Sequence, residues 1–116
     1  MKRLLQVLAL TAIGTLAYAA EVQGILLDKA CSPKIVQSND QAAAKKHTRD
    51  CALMDECVKA GYGVLTPDGK FINIDPAGSA KVVEALKASK KDSDIRVKVT
   101  GELKGEVIKL TAIKIQ

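Results

Sequence analysis

The stretch that decides the fold is Ile95-Arg96-Val97-Lys98-Val99-Thr100-Gly101-Glu102-Leu103-Lys104-Gly105-Glu106-Val107-Ile108-Lys109-Leu110-Thr111-Ala112-Ile113-Lys114-Ile115. Ile95, Val97 and Val99 alternate with Arg96, Lys98 and Thr100, the period-two pattern of a half-buried strand. Gly101 bends that strand and Leu103 continues its inward set. Lys104-Gly105 makes a tight turn. The last strand follows from Glu106 to Ile115, with Ile108, Leu110 and Ala112 facing one way. Ile113 and Ile115 then switch face, which predicts a bulge near Ala112.

Working outward, residues 21–27 read as a first strand interrupted by Gly24. Residues 28–38, with Cys31 and Pro33, read as a loop. Residues 39–60 have helical composition and are expected to form one interrupted helix or two short ones, ended by Gly61. Residues 62–65 and 70–74 are strands joined by the turn Thr66-Pro67-Asp68-Gly69. Asp75-Pro76 opens a helix, with Asp as cap and Pro at the first helical position. Val82, Val83 and Leu86 share one side of it. Without the helical insertion the order is β-β-β-α-β-β. The expected fold is therefore α+β: a five-stranded OB-fold-like Greek-key barrel with a helical insertion between strands 1 and 2 and a helix between strands 3 and 4. Glycines at 24 and 101 suit strands that must bend to close. A ferredoxin-like sandwich is the rival architecture.

The beginning of the chain has a separate logic. Lys2 and Arg3 precede an apolar run from Leu4 to Leu16, and Ala17-Tyr18-Ala19 has the small-x-small form of a cleavage site. That order is expected of a secretory signal peptide. Residues 1–19 are thus expected to be removed, leaving residues 20–116 as one domain. The mature chain would carry 16 basic and 13 acidic residues, a charge of about +3. No later apolar run approaches the ~20 residues of a membrane span. The expected location is periplasmic or secreted, without stable membrane insertion after cleavage.

Five segments carry a resemblance: Gly24-x-x-x-Asp28-x-x-Cys31, then His47-Thr48-Arg49-Asp50-Cys51-Ala52-Leu53-Met54-x-x-Cys57, Gly61-Tyr62-Gly63-Val64, Asp68-Gly69-Lys70-Phe71, and Val97-x-Val99-x-Gly101. On these the chain resembles small secreted bacterial proteins of uncharacterised function. The resemblance implies an OB-fold-like domain and export, and it brings no activity.

Chemistry concentrates in Cys31, His47, Cys51 and Cys57, the candidate metal ligands. Three thiolates and one imidazole are a tetrahedral Zn²⁺ set, and thiolates also suit Cu(I). His47 and Cys51 are four residues apart and would share a face of a helix. Cys57 is six beyond Cys51, so a common site requires a helix break between them. Met54 could add a thioether for copper, and Asp28 could cap the cysteine loop, hydrogen-bond it or add an oxygen ligand. The alternative is a disulfide, Cys31–Cys51 or Cys31–Cys57, stapling the insertion to the first strand, as suits an oxidising compartment. Such a module would bind a protein or glycan. A thiol-redox role is a second alternative, although the C-x-x-C motif is absent. Nucleic acid is not an expected partner, since the mature chain has only Tyr62 and Phe71 for stacking. No hydrolase motif is present, and no catalytic residue is assigned.

Overall fold

The computed structural model describes residues 16–116. Residues 1–15, most of the expected signal segment, lie outside the described residues. Five strands close into a barrel: β1 (Tyr18–Asp28), β2 (Tyr62–Leu65), β3 (Phe71–Ile74), β4 (Arg96–Lys104) and β5 (Val107–Ile115), in the order β1-β2-β3-β5-β4. Four short helices, α1 (Pro33–Ser38), α2 (Gln41–Lys46), α3 (Arg49–Ala52) and α4 (Asp55–Ala60), lie between β1 and β2; α5 (Pro76–Ala88) lies between β3 and β4. The fold is α+β, and the closed sheet departs from the rival ferredoxin-like sandwich.

All strand pairs are antiparallel except β3 with β5, whose short parallel contact is Asn73↔Val107 and Ile74↔Ile108. β1 spans the barrel, pairing with β4 over its first part and with β2 over Ile25–Asp28. It begins inside the segment expected to be removed. Cleavage after Ala19 would delete the pairs Tyr18↔Leu103 and Ala19↔Glu102 and keep the six from Ala20↔Gly101 to Ile25↔Arg96.

The alternation in β4 places Val97, Val99 and Leu103 inside, beside Val22, Leu26, Val64, Ile72 and Ile108. The β4–β5 register shifts between Thr100↔Ala112 and Gly101↔Leu110, which leaves Thr111 as the extra residue. The bulge is thus one residue before Ala112. Ala112 is exposed, contrary to its expected inward place, while Ile113 and Ile115 turn in against the core. Gly101 is required at this bend: a Cβ there would sit 2.1 Å from the Lys109 carbonyl oxygen.

The run Ile25-Leu26-Leu27 is buried on both faces, because the barrel takes Leu26 and the insertion covers the outside. Ile25, Leu27 and Leu65 form a second cluster with Ala44 of α2, flanked by Ile35 and Val36 of α1 and by Phe71. The expected loop over 28–38 is corrected here, since half of it is helix α1. Pro33 stands in its first turn and Asn39 ends it in the left-handed conformation, its N–H bonding to the Ile35 and Val36 carbonyls. Both are ordinary helix signals, and Ile35 and Val36 supply the apolar reason to dock. The 39–60 segment forms three short helices, because Thr48 caps a new start (Cys51 N–H to Thr48 Oγ1, 3.1 Å) and the chain extends again at Met54.

Two anchors fix the insertion to the segment that leads from α5 into β4. Arg49 N–H donates to the Asp92 carbonyl and Asp94 N–H to the Lys45 carbonyl, each at 2.8 Å. From within, the buried Tyr62 hydroxyl donates to the Ala52 carbonyl at 2.6 Å. At the barrel end, Asp75 Oδ1 caps α5 through Gly78 N–H and also accepts from Leu110 N–H of β5. Val82 and Leu86 of α5 are buried in the core.

Gly101→Ala is expected to lower unfolding free energy by about 2–3 kcal/mol, since the clash is with backbone and not with a movable side-chain tip. Urea unfolding measures this; a loss under about 0.5 kcal/mol, the scale of neutral surface changes, would contradict the close approach.

Candidate functional site

The site forms where β1 runs out of the barrel. Asp28 is its last residue and is fully buried. Its Oδ1 accepts from the N–H groups of Ala30, at 3.0 Å, and Cys31, at 2.8 Å. An aspartate bonding to the amides just after it is a standard turn device. It folds the chain back and sets the Cys31 side chain above the carboxylate. Lys29 N–H continues the strand pairing to the Gly61 carbonyl at 2.9 Å, which brings the end of α4 alongside. Cys57 of α4 is thereby buried against the same place, with its Sγ 3.9 Å from that of Cys31.

One ligand atom from each of Asp28, Cys31 and Cys57 lies within 4.8 Å of the others. This group could hold a metal. Two sulfurs bound tetrahedrally to zinc at about 2.3 Å stand about 3.8 Å apart, so the sulfur separation already fits.

His47 reaches the group through the carboxylate. Its Nε2 is 2.6 Å from Asp28 Oδ2, and its side chain is only 9% exposed. The contact is short but lies off the hydrogen-bond line, and neither atom has another hydrogen-bond partner. With Oδ1 committed to two amides, Oδ2 is the buried carboxylate oxygen that faces His47 Nε2. Ser32 Oγ is likewise buried without a partner. Asp28 and Ser32 both line a cavity of about 200 Å³, walled also by Pro33, Val36 and Phe71. A cavity of this size has room for water to meet them.

The electrostatics follow from burial and proximity. Burial pushes the Asp28 carboxyl up, but His47, the Cys31 amide and the Cys57 thiol outweigh it and bring its pKa down to about 2. Burial, then the Asp28 carboxylate and Cys31, push the Cys57 thiol up to about 12. Tyr62 is also raised to about 12, by burial, Asp28 and Cys57. The metal-free site therefore carries an ionised carboxylate beside a protonated, buried thiol.

The four expected ligands divide. Cys31 and Cys57 meet, and His47 joins them through Asp28. Cys51 is exposed on α3 and lies outside the group. The expectation that His47 and Cys51 share a helical face is corrected: His47 ends α2 in an extended conformation and Thr48 starts α3, so no single helix carries both. The break expected before Cys57 is present at Leu53–Met54, but it turns Cys57 toward Cys31 and leaves Cys51 outside. Of the three roles open to Asp28, it hydrogen-bonds the cysteine loop, and its carboxylate also belongs to the group that could hold a metal. The signal was the Asp28-x-x-Cys31 spacing, which lets a carboxylate bond the amide three residues on. Among the described residues the three cysteines are free thiols. No family model, curated protein or solved structure matches this chain.

The depressed Asp28 pKa has a definite consequence for the metal-free protein. The folded state binds this proton less readily than the unfolded chain, whose carboxyl lies near 3.8. The contribution, about 2 kcal/mol, is present in full above about pH 4 and is lost as pH falls toward about 2. Urea midpoints across that window should show this slope in the parent and lack it in Asp28→Asn. Equal slopes in both proteins would contradict the assignment.

Proposed function

We propose that this protein is an exported, non-enzymatic binding or accessory module that holds Zn²⁺ on an OB-fold-like Greek-key barrel. The ligands are Cys31 Sγ, Cys57 Sγ and an Asp28 carboxylate oxygen, and His47 Nε2, 2.6 Å from Oδ2, orients that carboxylate. The observation that carries this reading is the buried Asp28 carboxylate converging with two sulfurs that are separated by one edge of a zinc tetrahedron. A cation there would satisfy the carboxylate oxygen and both thiolates together. A hard oxygen and an imidazole beside two thiolates favour zinc. Cu(I) gains little from the carboxylate. Export is supported by the basic, apolar and small-residue order of the first nineteen residues.

Metal binding requires Cys57 to lose its proton, so the affinity should rise with pH. Competition with a chromophoric zinc chelator should give one equivalent per chain. Cys31→Ser and Cys57→Ser should each weaken binding by more than about 100-fold, beyond the range that outer-shell changes reach. Cys51→Ser should bind as the parent does. A protein that takes up no zinc, or that loses it in Cys51→Ser, would overturn the site. Uptake of Cu(I) alone would reassign the metal.

A further inference from the structure

We propose that Cys31 and Cys57 are also a thiol–disulfide exchange couple, with Cys31 the entering nucleophile, Cys57 the resolving thiol, and a disulfide as substrate. This shares two sulfurs with the zinc site but does not require the metal.

The geometry assigns the order. Cys31 is exposed and Cys57 is fully buried, so of this pair an external disulfide can reach only Cys31. The sulfurs are already in contact at 3.9 Å, across 26 residues of sequence. Closing the bridge therefore asks for side-chain movement and not for refolding of the insertion. Asp28 fixes the Cys31 backbone through the Cys31 amide, and the bond from Lys29 N–H to the Gly61 carbonyl fixes the end of α4, so neither sulfur is on a free arm.

The chemistry balances as two exchanges. The Cys31 thiolate attacks one sulfur of the substrate disulfide; a Cys31–substrate bond forms and the other substrate sulfur leaves as a thiolate. Cys57, on losing its proton, attacks Cys31 Sγ; the intramolecular bridge forms and the second substrate sulfur leaves. The substrate is reduced to two thiols, which take up the protons given by Cys31 and Cys57, and the protein is oxidised by two electrons. Thiol–disulfide exchange proceeds through such a mixed intermediate. The bridge consumes both sulfur ligands, so the oxidised protein cannot hold zinc at this site.

Reduced, metal-free full-length protein carrying Cys51→Ser, which removes the third thiol, is mixed with oxidised glutathione. Peptide mass mapping without reductant should find a Cys31–Cys57 bridge and no lasting adduct. Adding Cys57→Ser should arrest the reaction at glutathione bound to Cys31, and adding Cys31→Ser should abolish reaction at Cys57. A lasting adduct on Cys31 while Cys57 is intact, or an unreacted pair, would overturn the couple. A bridge formed by a protein that takes up no zinc sinks the metal reading alone. Zinc uptake by a pair that never bridges sinks the exchange reading alone.

Discussion

A single buried carboxylate organises this molecule's chemistry. Asp28 stands where β1 leaves the barrel, and each of its oxygens has a separate task. Oδ1 turns the chain by binding the two amides that follow. Oδ2 meets His47, which comes from the junction of two helices in the insertion. Burying a carboxylate is expensive unless it is paired or hydrogen-bonded. The low carboxyl pKa records that the surroundings more than offset that cost. Burial first, and then the same charge, keep the neighbouring Cys57 thiol protonated.

The barrel and the insertion depend on each other around this point. The barrel's outer face at Ile25, Leu27 and Leu65 would be an exposed apolar patch without α1 and α2. The insertion's helices are four to six residues long, far below the length at which isolated helices are stable in water. They persist because Asp40 and Thr48 cap α2 and α3 and because they pack on the barrel. Tyr62 contributes from inside, holding the end of α3 through the Ala52 carbonyl. The result is a platform that carries Cys57 to Cys31 while keeping it out of solvent.

Much of the barrel was legible in the sequence. The alternation in 95–99 and the phase switch near Ala112 are local patterns, and local patterns survive into the fold. The bulge falls on Thr111, beside Ala112 as expected; its position to the residue is set by the pairing with β4 and not by one strand alone. Helix α1 was missed because Cys31 and Pro33 drew the reading toward a loop, although Pro at a helix start and Asn at its end were present as signals. The site was half legible. Cys31, His47 and Cys57 carry the right chemistry, and the structure brings them around Asp28. Cys51 carries the same chemistry and points elsewhere. Helical spacing could not separate them, since the helix breaks twice, at His47–Thr48 and at Leu53–Met54. Where side chains converge was decided by caps and strand ends rather than by thiol count.

Two states of the sulfur pair follow from the same arrangement, one closed by a cation and one by a covalent bond. The two proposed states would exclude each other, so the proposed site would respond to its redox surroundings as well as to metal supply. Both rest on the claim that two sulfurs, and no third, converge on Asp28. X-ray absorption at the zinc edge of the loaded protein counts those neighbours directly. The account predicts two sulfurs at about 2.3 Å with nitrogen or oxygen completing the shell. A shell of three sulfurs, or one without sulfur, would contradict it.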